Sequence, residues 1–178
     1  MRRPNPLEHA SYYRGYVDRV PEGCVVEQLA AQVEVTNALL ADLDDEQALF
    51  RYAPDKWSLK ELLGHVVDTE RIFQVRLLRI VRGDETPLPG FEQDPYIESA
   101  GFDRRPMAEL LEEYGAVRAA TLTLLRSVEP EDADRSAVVS GAPMVACTIP
   151  WILAGHELHH VDVVRERYLP ALGVRTGR

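Results

Sequence analysis

The sequence predicts an all-α protein folded as one four-helix bundle. Four segments of about 20 residues place apolar side chains at the spacing of an amphipathic helix, and no segment shows the convincing alternation of a strand. The connections after the second and third of these segments are long, as in bundles with crossover connections. A chain of 178 residues with 46% hydrophobic residues suits a single domain with one core.

The first two helices are bounded by local sequence signals. The first is expected over residues 25–43, after a turn at Pro21-Glu22-Gly23. The second opens at Ser58, and Glu61 follows three residues later, which is the pattern of a capping box. It continues to about Val81, with Gly83 as the expected C-cap.

The rest of the chain alternates irregular segments with two further helices. Residues 84–105 contain several proline and glycine residues and are predicted to form a loop that covers something. The third helix is expected over 106–128, residues 133–146 are predicted to be irregular, and the fourth helix covers 149–168. We therefore expect an N-terminal arm (1–22), a bundle domain (23–170) and a frayed C-terminal tail (171–178).

The fourth helix carries two histidines one turn apart. His156 and His160 lie on the same side as Ile152 and Leu153, whereas Glu157 lies at the margin of that side. Burial of an uncompensated polar group is costly, so something in the interior must satisfy the two rings. Two imidazoles in this relation can bind one metal ion.

A third histidine is predicted to point inward from the second helix. His65 shares a face with Thr69 and Phe73, so two helices of the bundle each direct histidine at the core. Three imidazoles with an open position describe a catalytic metal site, and zinc, nickel and iron(II) all suit such ligands. The alternative is that each histidine is an ordinary core residue with a protein partner. His159 is expected at the rim of the site.

Other polar residues near His65 allow two interpretations each. Arg76 lies three turns further along the same face and is a candidate for binding an anionic group of a substrate; the alternative is a structural ion pair in the core. Asp68 and Glu61 are candidates for orienting an imidazole, although such residues are more often solvated. Trp57 is expected to serve as a packing residue.

Charge and composition limit the classes of partner. The chain has 20 basic and 29 acidic residues, a net charge of −9, which argues against nucleic acid as the main partner and leaves a small molecule as the expected one. No apolar run is long enough for a membrane span or a secretory signal. Cys24 and Cys147 form no CxxC motif, so a reducing cytoplasm is expected.

Three stretches together resemble the DinB/YfiT superfamily: residues 51–71 (RYAPDKWSLKELLGHVVDTER), 82–91 (RGDETPLPGF) and 154–160 (AGHELHH). The resemblance covers nearly the whole chain. It implies a bundle with up-down-down-up connections, a homodimer, and a divalent metal bound by one histidine of the second helix and two of the fourth. By position these are His65, His156 and His160.

The resemblance also frames the expected activity. Related enzymes transfer low-molecular-weight thiols such as bacillithiol or mycothiol, so the leading hypothesis is a metal-dependent thiol S-transferase that acts on a small electrophile. The first alternative is a hydrolase that uses metal-activated water. The second is a non-catalytic metal-binding dimer linked to stress, in which Cys147 is the candidate for a fourth, closing ligand.

Overall fold

The computed structural model describes residues 1–174 and has the predicted all-α bundle in up-down-down-up order. The helices are α1 (Arg14–Val17), α2 (Val25–Leu40), α3 (Leu59–Val81), α4 (Gln93–Ala100), α5 (Met107–Arg126) and α6 (Thr148–Val163). The bundle consists of α2, α3, α5 and α6, in which α3 packs along α5 and α2 packs against both α5 and α6. The last four residues of the expected tail lie outside the described residues.

Both predicted boundaries of α3 are confirmed. The Ser58 hydroxyl accepts a hydrogen bond from the Glu61 amide (3.0 Å), and the Glu61 carboxylate accepts one from the Ser58 amide (2.9 Å), which completes the capping box. Gly83 has a φ of +75° and its amide donates to the carbonyl of Ile80. The helix therefore stops where the glycine permits a left-handed residue.

The prediction of a loop over residues 84–105 is wrong in part, because the segment contains α4 and a 3₁₀ turn (Phe102–Arg104). Ile97 and Phe102 are buried, and their elements pack on α3. A Cβ on Gly64 would lie 2.5 Å from the Phe102 ring, so glycine allows this close approach. A two-turn helix is too short for a periodic pattern to reveal it.

The absence of strands was also predicted wrongly. Residues 133–146 contain an antiparallel hairpin of β1 (Ser136–Val139) and β2 (Ala142–Val145). Ser140 and Gly141 form its turn, with φ values of +52° and +80°. Two positive φ values are typical of the type I′ hairpin turn. Strands of four residues carry too few alternations to be recognised in a sequence.

The N-terminal arm packs along α6. A Cβ on Gly155 would lie 1.9 Å from the carbonyl oxygen of Tyr16, so α1 can approach the helix only at a glycine. The indole nitrogen of Trp151 donates to the carbonyl of Arg2 (2.8 Å) and fixes the start of the arm. α6 itself continues into a π-helical turn (Val164–Tyr168). No helix among residues 1–174 is both long and apolar enough to cross a membrane.

A polar layer divides the core of the bundle. One apolar cluster includes Phe73, Leu77 and Ile152, and the other includes Leu63 and Tyr168. Between them every bundle helix contributes buried polar side chains: Gln32, Thr36, His65, Thr69, Glu70, Arg118, Thr121, His156 and Glu157. The middle of the bundle therefore holds buried polar side chains from all four of its helices.

Candidate metal centre

Three histidines from α3 and α6 converge in the polar layer. The Nε2 atom of His156 lies 3.0 Å from Nε2 of His65 and 3.1 Å from Nε2 of His160. One ligand atom from each residue lies within 4.8 Å of the others. The sequence-predicted trio is thus brought together. Cys147 is not part of this cluster, so among residues 1–174 the group offers three protein ligands.

The geometry fits a single divalent ion. Nitrogen ligands about 2.0–2.1 Å from a metal, at tetrahedral to octahedral angles, lie roughly 2.9–3.4 Å apart. The two nitrogen separations at His156 fall in this interval. Burial lowers the pKa of His65 to about 4 and lowers the pKa values of His156 and His160 well below 6.5. The rings are therefore neutral at physiological pH, which is the form that binds metals.

Ordinary hydrogen bonding does not satisfy this arrangement. A neutral imidazole has one donor nitrogen and one acceptor nitrogen, and each has a single in-plane direction. Nε2 of His156 faces two other Nε2 atoms, so it can pair properly with only one of them. His160 Nδ1 is also buried with no hydrogen-bond partner among the described residues. A cation shared by the three Nε2 atoms resolves the conflict.

Aromatic rings enclose the histidines on two sides. The Trp57 ring centroid lies 4.7 Å from that of His65, and the Tyr16 ring lies 5.3 Å from that of His156. His159 lies at the rim as expected, with its ring 5.8 Å from Tyr16. Trp57 packs against an apolar cluster, as expected, and its ring also contacts His65 of the site. The nearness of a ring in the arm could not be read from local periodicity.

Two cavities open on either side of the histidines. The first, of about 430 Å³, is lined by residues that include Tyr16, His65, Thr69, Arg76, Ser140 and His156. The second, of about 450 Å³, is lined by residues that include Trp57, His159, His160 and Tyr168. Gln93 and Asp94, at the start of α4, line both cavities. The site is therefore accessible from two directions.

Arg76 lines the first cavity and has no ion-pair partner among residues 1–174. Its Nη2 donates to the Pro89 carbonyl (3.0 Å) and lies 3.4 Å from the Ser140 hydroxyl. Its Nη1 is buried with no hydrogen bond in the described part of the chain. The structural ion pair considered from the sequence is therefore not formed among the described residues.

The two carboxylates considered as partners of His65 have other roles. Glu61 caps α3 and pairs with Arg51, whereas Asp68 lies 3.6 Å from Arg71. Neither forms a hydrogen bond with an imidazole of the site. Both carboxylates lie within about one turn of His65 on α3, but the helix cap and neighbouring arginines bind them instead.

The predicted position of Glu157 at the margin of the apolar face of α6 is wrong. It is 2% exposed and its carboxylate pairs with Arg118. Its other oxygen accepts hydrogen bonds from Thr36 (2.6 Å) and Tyr114 (2.5 Å). A charged residue at the edge of an apolar face is expected to reach solvent, but here a buried arginine on a neighbouring helix compensates its charge.

Arg118 is the centre of a buried ionic network that the sequence analysis missed. It forms a bidentate pair with Glu70 (2.9 and 2.8 Å), a second pair with Glu157, and a hydrogen bond to the Leu29 carbonyl (2.7 Å). The pKa of Arg118 is raised by both carboxylates against the opposing effect of burial. The available signal was an arginine at an inward position of the third predicted helix.

Comparison with known proteins identifies the family. The model of the DinB superfamily matches residues 28–164, which is most of the chain. The chain belongs to the DinB superfamily. This membership confirms the resemblance read from the three sequence stretches.

One similar sequence and one similar solved structure carry the same description. A protein of Oceanobacillus iheyensis, described as a candidate metal-dependent hydrolase, is 26% identical over 157 residues, covering 83% of this chain and 89% of the relative. Among solved structures, YfiT from Bacillus subtilis superposes with a TM-score of 0.74 at 14% identity, covering 97% of this chain and 94% of that one. YfiT is described as a candidate metal-dependent hydrolase with an unusual four-helix bundle topology, and at this identity the match shows the fold.

Proposed function

We propose that this protein is a metal-dependent enzyme whose divalent ion is held by His65, His156 and His160. The observation that carries the proposal is the convergence of three neutral imidazoles beside two cavities, with Nε2 of His156 3.0 and 3.1 Å from the Nε2 atoms of the other two. When bound, zinc, nickel or iron(II) supplies Lewis acidity that lowers the pKa of a thiol or water in its open coordination position.

The protein's own residues prepare the site for this chemistry. Burial keeps the three imidazoles neutral, so they are ready to bind without first losing a proton. The rings of Trp57 and Tyr16 pack against His65 and His156 and hold these two imidazoles in place beside the cavities. The cavities leave room for two organic molecules, one on each side.

Transfer of a low-molecular-weight thiol to a small electrophile is the reaction we favour. Joining two molecules requires two binding places that meet at the reacting atoms, and the two cavities meet this requirement. The sulfur lone pair forms a bond to the electrophilic carbon, the leaving group departs with its bonding electron pair, and the thiol proton passes to solvent. Bacillithiol and mycothiol are the thiols that we propose to test.

Hydrolysis is the second candidate, and Asp94 is the observation that favours it. This exposed carboxylate lines both cavities, where it is available to accept a proton from an attacking water molecule. The descriptions of both relatives also point to this reaction class. Water would then add to the electrophilic carbon of the substrate, and the leaving group would depart with the bonding electron pair and a proton.

The deciding experiment compares thiol-dependent and thiol-free turnover. Protein loaded with zinc, nickel or iron(II) is mixed with monochlorobimane and either bacillithiol, mycothiol or cysteine, and separately with nitrophenyl esters without thiol. Turnover that requires both a metal and a thiol supports transfer, and ester cleavage without thiol supports hydrolysis. Metal binding with neither activity would favour the non-catalytic alternative.

Matched histidine variants control for adventitious metal. His160→Ala removes a proposed ligand and should abolish metal-dependent turnover, whereas the neighbouring rim substitution His159→Ala should retain bound metal. An equal loss of bound metal in both variants would contradict the assignment of His160 as a ligand. The homodimer and the cytoplasmic location stay predictions, and size-exclusion chromatography with light scattering tests the first of them.

A further inference from the structure

Arg76 is buried without a counter-charge. It is 3% exposed, and among residues 1–174 no carboxylate lies within ion-pair distance of it. The rings of Phe73 and Phe91 lie 4.8 and 5.8 Å from its guanidinium carbon, which gives partial compensation through their π faces. Burial of a cation without a paired anion is expensive, so this arrangement is expected where a ligand supplies the missing charge.

Arg76 lines the first cavity, and one of its guanidinium nitrogens has no hydrogen bond among the described residues. Nη2 is used by the Pro89 carbonyl, and the buried Nη1 has no partner in the described chain. Arginine presents parallel N–H groups that match the two oxygens of a carboxylate. One of these groups is thus bound by the protein, and the other has no protein partner in a side chain that lines the cavity.

Ser140 places a hydroxyl near the guanidinium of Arg76, and its backbone adopts an unfavourable positive φ to do so. It occupies the first position of the hairpin turn with a φ of +52°, where glycine, asparagine or aspartate is usual. Its hydroxyl lies 3.4 Å from Arg76 and lines the cavity. A Cβ on Gly90 would lie 3.3 Å from that hydroxyl, so a small residue leaves room around it. A strained residue at a cavity wall is typical of binding sites.

Thr69 is a further polar residue of the first cavity, between Arg76 and the histidines. It lies on α3 between His65 and Arg76, one turn from the histidine, and its buried hydroxyl has no partner among residues 1–174. Side chains on a helix lean toward its N-terminus, so the guanidinium reaches back toward His65 and leaves a gap on the order of 10 Å. The cavity thus has a histidine end and a cationic end.

We propose that Arg76, with Ser140, binds the carboxylate of a substrate whose reacting atom lies about 10 Å away at the histidines. The substrate class is an elongated small organic acid. Glu92 and Asp94 are exposed and line the mouth of the same cavity, so a second negative charge on the substrate would be repelled there. A single carboxylate at the inner end fits this charge pattern. The assignment of the reacting end depends on the proposed function, but the anion site does not.

Binding to metal-free protein tests the anion site by itself. Calorimetric titrations compare octanoate with octanamide, which has the same chain and no charge. Wild type is expected to bind octanoate at least tenfold more tightly, and Arg76→Met should remove that preference. Arg76→Lys should retain only part of it because lysine lacks the planar fork. Arg82→Met, at the exposed end of α3, is the matched control and should behave as wild type.

A second variant distinguishes a binding role from a structural one. Ser140→Gly should raise the thermal unfolding midpoint because glycine tolerates the positive φ, and it should weaken octanoate binding because the hydroxyl is lost. A preference for octanoate that survives in both Arg76→Met and Ser140→Gly would overturn the proposal. Absence of any preference in wild type would also overturn it, and neither result depends on thiol transfer.

Turnover identifies which molecule carries the carboxylate. With metal-loaded enzyme, bromooctanoate is compared with bromooctanamide as the electrophile, and mercaptooctanoate with mercaptooctanol as the thiol. For each pair we compare the KM of the uncharged compound with that of the carboxylate. The pair whose KM ratio falls to about one in Arg76→Met contains the molecule that Arg76 binds. We expect the electrophile pair to respond. A response of the thiol pair places the thiol in the first cavity, and a response of neither pair overturns the substrate assignment while leaving the metal-dependent reaction intact.

Discussion

Two buried arginines of this protein have opposite surroundings. Arg118, 1% exposed, forms ion pairs with Glu70 and Glu157 and donates to a backbone carbonyl. Arg76, 3% exposed, lines a cavity, has one backbone partner and leaves its buried Nη1 atom without a hydrogen bond among the described residues. The two cations lie on neighbouring helices of the same bundle.

The difference between the two arginines distinguishes groups that hold the helices together from groups of the candidate site. The Arg118 network joins α2, α3, α5 and α6. It includes Glu157, the residue that follows the ligand candidate His156 on α6. Its groups are almost fully paired, so it needs no ligand. The histidines, Thr69 and Arg76 share the opposite property, since each leaves a buried polar atom without a good protein partner. Buried groups that the fold leaves unsatisfied mark where a ligand belongs.

The largest effect is expected from breaking the satisfied network. Arg118→Met should lower the free energy of unfolding by about 3–5 kcal/mol, because it leaves Glu70 and Glu157 buried without a cation. Arg76→Met is the matched substitution and should cost less than about 1 kcal/mol, because it removes an unpaired charge. Urea denaturation of metal-free protein measures both. Similar losses in the two variants would remove the distinction between the arginines.

The pH dependence of stability should reveal the histidines. The folded pKa of His65 is about 4, below its unfolded value of 6.5, so the unfolded state binds more protons between these values. Stability is then fully present above pH 6.5 and falls as the pH drops toward 4, with His65 alone contributing on the order of 3 kcal/mol. His156 and His160 act in the same direction.

Urea titrations of metal-free protein from pH 7 to pH 4.5 measure this slope. The carboxyl of Glu8, whose pKa is lowered to about 2 by Arg2, loses its contribution mainly at lower pH. His65→Gln should flatten the curve in the upper window. A slope unchanged by that substitution would mean that the imidazole is not held in its neutral form by burial.

Removal of one imidazole should separate metal binding from folding. His160→Ala is expected to weaken zinc binding by at least about a hundredfold, since even loss of a residue that orients a ligand costs 10–100-fold. The metal-free variant should remain folded, because His160 contributes an unsatisfied nitrogen to the core. Chelator competition measures the affinity and circular dichroism checks the fold. An affinity for zinc like that of wild type would exclude His160 as a ligand.

The smallest effects concern the arm over the site. Gly155→Ala places a methyl group against the carbonyl of Tyr16 and should cost about 1–3 kcal/mol while moving that ring away from His156. Gly115 is also in a helix but faces open space, so Gly115→Ala should stabilise by about 0.5–1 kcal/mol. Thermal unfolding gives both signs, and equal effects would argue against the close packing of the arm.

The sequence predicted the features that depend on local periodicity and on turn signals. The capping box at Ser58 and the glycine stop at Gly83 are short-range patterns, and they fixed both ends of α3. The inward direction of His65, His156 and His160 followed from helical spacing, because the surrounding positions are apolar. These three residues carry the candidate site.

Features that depend on contacts between distant segments were missed. Glu157 was placed at the margin because only its own helix was considered, whereas its partner Arg118 lies on another helix. The contact of Tyr16 with His156 depends on the glycine at which the arm crosses α6. The hairpin and α4 are too short to produce a periodic signal. The first two cases depend on contacts between distant segments, and the last two on elements that are too short for a periodic pattern.

The most direct test of the account is a crystal structure of the protein grown with zinc, with anomalous scattering recorded at the zinc edge. We predict one ion per chain, bound by Nε2 of His65, His156 and His160 at about 2.0–2.1 Å, with a position open toward the cavities. An ion bound elsewhere, or three imidazoles that bond to protein groups in the presence of excess zinc, would contradict it.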